Sequence, residues 1–437
     1  MASRLGAAVT IAEPRRRWEL DALSVFVLAI AARLAFVAAA TGSFDPANLR
    51  SDPFDYHDYA VHLADQGRFV DGTGHLALRM PGYPAFLALL YLAFGHGSLW
   101  PVAIAQSLLG AFACLALFAV ARKLYGEPWG LLCGIAAALS YDLIAPSGRI
   151  LSESLASPLV CFFFAAWFLP SRRPYLWAAL SGAVLGALVL TRPEFGPFAA
   201  AFFLLAPRWA KAPMWRPGHA ALGLGVLAVA LSPWIVRNAI VFRRFVPGCL
   251  DGPISLYRGL ALPLQDMKDR PVAKESWPAG RGEMEISSIY MDRYKNVLRT
   301  TPFLKILRVY ALNDAAMFYP FLPQFDGTYM LFVPLWLYAL AKWRQFPELR
   351  PVWLMLGFYL IAHLFFGPES RFRQAITGPL LLAAAAGASG AWRRWGKKLA
   401  PWAAAYAAAD IAVWIFAPQA RQGVLWLKRA LLGLDRG

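Results

Sequence analysis

The sequence lacks the patterns by which most metalloenzymes and disulfide-rich proteins are recognised. Only four of its 437 residues are cysteine, and they show no CxxC pair or other metal-ligand spacing. Three of them, Cys114, Cys133 and Cys161, fall inside apolar runs, so no disulfide framework is expected. The six histidines form no HExxH pattern, which leaves a zinc site of that type without support.

Nucleotide-binding signatures are missing as well. The chain contains no P-loop, no GxSxG motif and no Rossmann fingerprint, which argues against a soluble nucleotide-binding or hydrolase domain. Only 16% of the residues are charged, yet the net charge is +17. Because the Lys and Arg residues sit in short clusters between apolar runs, and not along one basic face, nucleic acid is not expected as a partner.

Long apolar runs are the dominant feature that is present. The chain is 59% hydrophobic, and runs of roughly 17–25 apolar residues, enough to cross ~30 Å of hydrocarbon, recur along it. These runs lack the alternation of β-strands, and helices satisfy their own backbone in lipid, so an all-α integral membrane protein is expected. Eleven spans are predicted, at about 20–41, 100–121, 128–145, 154–169, 175–190, 194–207, 219–236, 328–341, 352–366, 374–391 and 399–417.

Basic residues mark the loops that are predicted to face the cytoplasm. Arg15–Arg17 precedes the first span, and every second gap between spans is basic, beginning with Arg122-Lys123 and Arg172-Arg173. By the positive-inside rule the N-terminus is then cytoplasmic and the C-terminus lies outside. The predicted units are a cytoplasmic N-terminus (1–19), a transmembrane domain (20–417) with outer loops 42–99 and 237–327, and an amphipathic C-terminal tail (418–437).

Polar groups collect on the opposite, outer face. Five separate outer segments carry carboxylate or guanidinium groups: Asp52–Arg79, Arg149–Glu153, Thr191–Glu194, Arg237–Asn238 and Glu369–Arg373. A pore would need polar groups along its whole depth, whereas an enzyme that faces a membrane-embedded substrate needs them at one interface. The five segments therefore predict one shared pocket on the non-cytoplasmic side.

The dipeptide Asp52-Pro53 in the first outer loop has two interpretations. Asp before Pro is a good helix start, with Asp52 as N-cap and Pro53 at the first helical position. Tyr56 and Tyr59 then follow on one face of an amphipathic, interfacial helix. Asp52 either only caps this helix or acts as a general base that the helix holds at the membrane surface.

A second outer-loop motif, Arg79–Pro84, contains two prolines and a glycine. It is expected to form a stiff turn before a second short amphipathic helix at Ala85–Phe94. Arg79 either reaches a phosphate or an outer carboxylate, or it only anchors the turn at the interface.

The remaining outer motifs offer a second carboxylate and several cations. At Ser152-Glu153, Ser152 either caps a solvated helix start, or Glu153 joins Asp52 at the pocket and orients a sugar hydroxyl. Arginine presents a planar, permanently charged fork that suits phosphate, although each outer arginine taken alone also fits simple extension to the interface. The arginines that could hold an anionic head group are Arg79, Arg192, Arg237, Arg371 and Arg373.

The order and common sidedness of these motifs carry a family resemblance. In chain order they read Asp52-x-x-x-Tyr56, Arg79-x-Pro81-x-Tyr83-Pro84, Ser152-Glu153, Thr191-Arg192-Pro193-Glu194, Pro233-Trp234-x-x-Arg237-Asn238 and Arg371-Phe372-Arg373. Over roughly Leu20–Ala391 the chain resembles the membrane-embedded glycosyltransferases of the GT-C class. It is similar to bacterial members of the glycosyltransferase family 39 type, the protein O-mannosyltransferase-like group, and to the aminoarabinose transferases that modify lipid A.

The resemblance implies a GT-C-like helical bundle with a reaction on the non-cytoplasmic face of the bacterial inner membrane. A polyprenyl-phosphate monosaccharide would be the donor, and a glycan, lipid or protein hydroxyl the acceptor. The family's catalytic Asp corresponds to Asp52 and its second outer acid to Glu153. Pro53 replaces the Glu that often follows the Asp, and Asp55 is the alternative base. Attack opposite the phosphate would invert the anomeric centre.

The predicted site has three kinds of residue. The catalytic residues are Asp52, Glu153 and Asp55; the donor-phosphate residues are Arg79, Arg192, Arg237, Arg371 and Arg373; and the other substrate-binding residues are Tyr56, Tyr83, Glu194 and Asn238. No cofactor or metal ligand is assigned, although a carboxylate pair could hold a divalent cation. A transporter or flippase of lipid-linked glycans is the main alternative, but it predicts mid-membrane polar sites and repeated halves, which the sequence does not show. A noncatalytic scaffold of the same fold is the third.

Overall fold

The computed structural model describes residues 15–40, 44–169, 172–209, 216–264, 282–320, 326–367, 369–419 and 421–422. Within these ranges the chain is helical and forms no β-strand. The predicted amphipathic tail lies largely outside them.

The α-helices are α1 Arg15–Ala39, α2 Asp52–Gln66, α3 Gly82–Phe94, α4 Trp100–Tyr125, α5 Trp129–Leu139, α6 Tyr141–Ile144, α7 Glu153–Phe168, α8 Pro174–Thr191, α9 Gly196–Trp209, α10 Pro217–Phe242, α11 Gly252–Leu264, α12 Glu283–Thr300, α13 Phe303–Met317, α14 Gly327–Met330, α15 Val333–Ala341, α16 Arg350–His363, α17 Thr377–Trp395 and α18 Ala400–Ile415.

Each of the eleven predicted spans coincides with a helix or with a pair of consecutive helices. Among the described residues, four helices are both long and apolar enough to cross a membrane: Trp18–Ala39, α4, α8 and α10. Helix α5 and the segment Tyr141–Gly148 form a fifth candidate that is bent by 64°. The all-α membrane architecture is confirmed, while the number of eleven crossings stays a prediction.

The main apolar core lies where α4, α5, α7 and α17 pack together. Small residues allow this close approach, as is common between helices in membranes. Ala383–Ala386 of α17 are buried, and a Cβ atom added at Gly387 would collide with the carbonyl oxygen of Leu335. A Cβ added at Gly182 of α8 would likewise collide with the carbonyl oxygen of Gly223 in α10. The bundle is therefore held by tight helix contacts that leave the outer-face loops to build a site.

Helix α2 begins at Asp52, but the predicted N-cap role of Asp52 is wrong. Ser51, with φ 56°, is the N-cap residue, so Asp52 and Pro53 occupy the first helical turn. A backbone in this left-handed region is unusual for a residue with a side chain. The carboxylate of Asp52 accepts hydrogen bonds from arginine side chains and none from the α2 backbone. Asp52 therefore does not act as a cap of its own helix.

Helix α3 begins at Gly82, three residues earlier than predicted, because proline is tolerated in a first helical turn. Gly82 packs directly on the end of α8. A Cβ atom at Gly82 would lie 2.6 Å from Thr191 Oγ1 and 2.7 Å from Thr191 N. This contact needs glycine, and it brings the turn that carries Arg79 beside the one that carries Arg192.

The described part of the predicted outer loop 237–327 is mostly helical, which the sequence did not predict. Helix α10 continues to Phe242, so Arg237 and Asn238 lie inside a helix and not in a loop. Helices α11, α12 and α13 then follow. The buried positions of α12 include Glu283, Ile286, Ser287 and Tyr290, the spacing of an amphipathic helix. That spacing could have identified the helix from the sequence.

Candidate active site

Four of the five predicted outer segments meet in one chain of ion pairs. We call it the arginine–carboxylate network; it comprises Asp55, Arg79, Asp52, Arg371, Glu369, Glu153, Arg192 and Glu194. Asp52 and Arg371 are 319 positions apart in the sequence. Their contact is therefore a product of the tertiary fold, and it places the predicted base beside one of the predicted phosphate-binding arginines.

Arg79 joins the two aspartates of α2. Its Nη2 atom lies 2.6 Å from Asp52 Oδ1 and 2.6 Å from Asp55 Oδ2, and its Nε also donates to Asp55 at 3.2 Å. The first turn of α2 makes this possible, because residues three apart lie on one helix face. The guanidinium also lies 5.5 Å above the ring of Tyr56. Tyr56 thus lies beside the network.

Arg371 extends the network to the other side of Asp52. Its Nη2 atom lies 2.6 Å from Asp52 Oδ2, and its Nε lies 3.9 Å from Glu153 Oε1. Its neighbour Glu369 also pairs with Nε. Each carboxylate oxygen of Asp52 therefore faces a different arginine.

The third part of the network is the most buried. Arg192 lies 2.8 Å from Glu153 Oε1 through Nη1 and 2.6 Å from Glu194 Oε1 through Nε. Glu153 is only 2% exposed and Arg192 only 7%. Ser152 does precede the first residue of α7, as one interpretation of the sequence expected, but this helix start is buried and not solvated. The burial of Arg192 likewise disagrees with a simple interfacial anchor.

Phe372 and His363 also contact the network near Arg192, and neither residue was predicted to do so. The ring of Phe372 has Arg192 above it at 5.1 Å and Arg371 at 5.6 Å, which is cation–π distance. His363 Nε2 lies 3.9 Å from Glu194 Oε1. The Phe372 contact had a signal, since this residue stands between two predicted arginines, whereas no sequence pattern pointed to His363.

Asp52 and Asp55 differ in pKa although both contact Arg79. Burial raises the pKa of Asp52, but the charges of Arg79 and Arg371 outweigh it and lower the pKa to about 2. Burial also raises the pKa of Asp55, and Arg79 alone does not compensate, so that pKa stays above its ordinary value. Burial likewise raises the pKa of Tyr56 to about 12. Asp52 is therefore the more firmly ionised of the two carboxylates.

Arg373 is placed outside the network, in a separate buried cluster. It lies 2.6 Å from Asp142 and 2.8 Å from Asp326, and its guanidinium stacks 3.7 Å from the ring centre of Tyr329. Thr377 also donates to Asp142 at 2.9 Å. These contacts bind the turn before α17 to helix α6 and to the residue that precedes α14.

Arg237, Asn238 and Tyr83 also lie apart from the network. Arg237 donates to the carbonyl oxygen of Leu76 at 2.7 Å and Asn238 to that of Val246 at 3.0 Å. Tyr83 donates to Gln106 Oε1 at 2.6 Å. In this structure all three hold the fold around the site, and none of them contacts a network carboxylate.

The carboxylates do not converge as ligands of a metal ion. Within the part of the chain that the structure describes, no three His, Cys, Asp or Glu side chains are grouped so that they could hold one. The network carboxylates Asp52, Asp55, Glu153 and Glu194 each face an arginine. The residues present therefore do not fit a divalent cation, and no chemical step is assigned to one.

Part of the network region is similar to a known family of enzymes. Residues 79–236 match the family described as dolichyl-phosphate-mannose-protein mannosyltransferase. The matched segment is a little over a third of the chain. It contains Arg79, Glu153 and Arg192, while Asp52 and Arg371 lie outside it. The resemblance expected from the sequence is thus confirmed.

Solved structures similar to this chain are distant in sequence. The oligosaccharyltransferase AglB from Archaeoglobus fulgidus, in complex with an inhibitory peptide and a dolichol-phosphate, is 12% identical, with 96% of this chain and 56% of AglB covered at a TM-score of 0.48. ArnT from Cupriavidus metallidurans, bound to undecaprenyl phosphate, is 15% identical, with 96% and 74% covered at a TM-score of 0.49. The chain thus spans little more than half the length of AglB. No curated protein matches it in sequence.

Proposed function

We propose that this protein transfers a monosaccharide from a polyprenyl-phosphate-linked donor to an acceptor hydroxyl on the non-cytoplasmic face of the bacterial inner membrane. The observation that carries the proposal is the network itself, in which an ionised Asp52 lies between Arg79 and Arg371. The family match supports a reaction of the glycosyl-transfer class. The basic gaps between spans support the sidedness.

The donor phosphate is proposed to bind to Arg79, Arg192 and Arg371. A phosphate leaving group needs little protonation, but it needs its developing charge stabilised by preorganised groups. Each guanidinium has five N–H donors, so one arginine can contact a carboxylate and a phosphate together. Arg237 and Arg373 are not included, because both are engaged elsewhere in the fold.

Asp52 is proposed as the general base. Its carboxylate accepts the proton of the acceptor hydroxyl while that oxygen forms a bond to the anomeric carbon of the sugar. The bond between the anomeric carbon and the phosphate oxygen breaks, and its electron pair leaves with the phosphate. Because attack comes from the side opposite the phosphate, the anomeric configuration inverts.

Donor binding also prepares the base in this mechanism. In the described structure Arg79 and Arg371 lower the pKa of Asp52, after burial has raised it, to about 2, and a carboxylate with so low a pKa is a weak base. A phosphate that takes over part of the guanidinium hydrogen bonds raises the pKa of Asp52 again. Glu153 and Glu194 keep Arg192 in place, and Asp55 does so for Arg79.

The decisive test is the substitution Asp52→Asn, with Asp65→Asn as the matched control. Both residues lie on α2, but Asp65 is exposed and its carboxylate pairs with His96, away from the network. Asp52→Asn is expected to lower sugar transfer by about 10²–10⁴-fold, the usual contribution of a positioned base, while the control keeps its activity. The assay uses radiolabelled polyprenyl-phosphate sugar and envelope acceptors in proteoliposomes.

Two results would contradict the proposal. Full transfer activity in a folded Asp52→Asn variant would remove Asp52 from the mechanism. Lipid-linked sugar that crosses the bilayer of the proteoliposomes without any transfer to an acceptor would instead favour the transporter.

A further inference from the structure

The backbone just before Arg79 is held by a buried carboxylate from a remote helix. Glu283, the first residue of α12, accepts hydrogen bonds from Leu76 N at 2.9 Å through Oε1 and from Ala77 N at 3.1 Å through Oε2. Glu283 is only 7% exposed. A buried carboxylate is costly unless it is hydrogen-bonded, and here both of its oxygens have backbone partners.

The carbonyl groups of the same two residues are held from other directions. Arg237 Nη1 donates to the carbonyl oxygen of Leu76 at 2.7 Å, and Leu250 N donates to that of Ala77 at 2.8 Å. The N–H and C=O groups of Leu76 and Ala77 are therefore satisfied by α10, by the α10–α11 connection and by α12. We call this arrangement the Leu76–Ala77 clamp.

The clamp lies close in the sequence to Arg79, a residue of the proposed site. Only Leu78 separates Ala77 from Arg79, and the N–H of Leu78 is itself bonded to Tyr59 Oη at 3.3 Å. Beyond Arg79, Gly82 fits without spare room against Thr191. The position of the Arg79 guanidinium between its aspartates is thus set from both sides, and a displacement of ~1 Å in such a group is enough to impair catalysis.

We propose that Glu283 is a positioning residue that acts through Arg79. By holding the backbone of Leu76 and Ala77, it keeps the Arg79 guanidinium against Asp52 and Asp55. It also links the α12 part of the outer segment to the site, so a movement of α12 relative to the bundle moves Arg79. The catalytic part of this inference rests on the proposed function. The competing explanation is that Glu283 only attaches α12 to the bundle.

Hydrogen exchange tests the clamp without any assay of sugar transfer. Glu283→Gln replaces one acceptor oxygen by an NH₂ group that faces a backbone N–H, and Glu285→Gln makes the same change at an exposed position of α12. In nanodiscs, amide exchange at residues 76–79 is expected to rise about tenfold in Glu283→Gln, in line with the loss of a charge-assisted hydrogen bond. Glu285→Gln should leave it unchanged. No rise at 76–79, or an equal rise throughout the protein, would overturn the clamp.

A double-mutant cycle separates positioning from mere attachment. Glu283→Gln is expected to lower the rate of transfer about tenfold when Arg79 is present and to have almost no further effect in an Arg79→Ala background, because coupled residues are not additive. The loss should be in kcat, with the KM for donor little changed. Effects that add independently in the double variant would show that Glu283 only supports the fold.

The two proposals fail in different ways. If the unsubstituted protein transfers no sugar, the proposed function is wrong, and the exchange rates at 76–79 still decide whether Glu283 holds this backbone. If Glu283→Gln does not insert into membranes, Arg237→Lys loosens the same clamp from the carbonyl side, because lysine cannot contact both Leu76 O and Phe69 O as Arg237 does. Faster exchange at 76–79 in that variant is expected, and unchanged exchange would overturn the clamp.

Discussion

Arg371 and Arg373 stand two positions apart in one turn, yet the structure uses them in opposite ways. The side chain of Arg371 is 24% exposed, and its partner Asp52 is 23% exposed. The side chain of Arg373 is 3% exposed, and its partners Asp142 and Asp326 are 4% and 2% exposed. One ion pair borders accessible space, and the other is sealed inside the bundle.

This difference separates an arginine that can bind a ligand from one that holds the fold. A guanidinium and carboxylates taken fully out of water must satisfy each other, because an unpaired buried charge costs several kcal/mol. Arg373 does so with a two-pronged contact to Asp142 and a further bond to Asp326, which leaves no direction for a phosphate. Arg371 and Asp52 each keep about a quarter of the side chain exposed, as the proposed binding of a phosphate requires. Burial and the number of partners, and not residue type, decide between the two roles.

The largest effect is expected when the sealed pair is broken. Arg373→Met leaves Asp142 and Asp326 as buried carboxylates without their cation, and it should lower the free energy of unfolding by about 3–5 kcal/mol. Thermal denaturation in detergent measures this. A variant as stable as the original protein would show that this cluster is not structural and would remove the contrast with Arg371.

The matched substitution Arg371→Met should act on activity instead. It removes one proposed phosphate contact and one partner of Asp52, and transfer is expected to fall by about 10²–10³-fold, the loss typical of one charge-stabilising group. Stability should change little, because Asp52 keeps Arg79. Loss of stability similar to that of Arg373→Met, or unchanged transfer, would contradict this part of the comparison.

A smaller effect is expected at the contact of Gly82 with Thr191, which brings the turns that carry Arg79 and Arg192 together. In Gly82→Ala the new methyl group meets the Thr191 backbone, and the free energy of unfolding should fall by about 1–3 kcal/mol, as in other overpacked sites. Gly97→Ala is the control, since no atom lies within 4 Å of its added Cβ. Equal melting temperatures for the two variants would show that α3 can move away from α8 without cost.

The smallest effect concerns pH and distinguishes Asp52 from Asp55. Burial raises the pKa of Asp52, but its two arginines outweigh burial and lower the pKa to about 2. Asp52 therefore stays ionised above that pH. Its contribution to stability is lost only as the pH falls through the lowered pKa. In the donor-free enzyme kcat/KM should then stay level from about pH 8 to about pH 5, and Arg371→Met should move the acid limb upward. If Asp55 were the base, the limb would lie higher, because burial raises its pKa. A fall near pH ~6.5 would instead indicate a histidine.

Much of this protein follows from local properties of the chain. Hydrophobic run length placed all eleven predicted spans on helices, because a helix in lipid is specified by its own residues. The alternation of basic and mixed-charge gaps predicted that Asp52, Glu153 and Arg371 would share one face, and the structure brings these three together. Helix α2 began one residue before the position that the Asp-Pro pair predicted.

Other features depended on contacts between remote residues, and local patterns could not supply them. Nothing near Arg373 in the sequence shows that Asp142 and Asp326 take its charge. Similarly, nothing near Glu283 shows that its carboxylate binds the backbone before Arg79. Those pairings arise from the way the helices pack.

Composition and the spacing of apolar runs by themselves determined that the chain is a helical membrane protein, and they predicted that its charged motifs lie on one face. Only the packed structure decided which arginine keeps an accessible carboxylate partner and which is sealed away. The reason is that desolvation depends on everything that surrounds a charge in three dimensions, whereas helix formation in lipid depends mainly on neighbours along the chain.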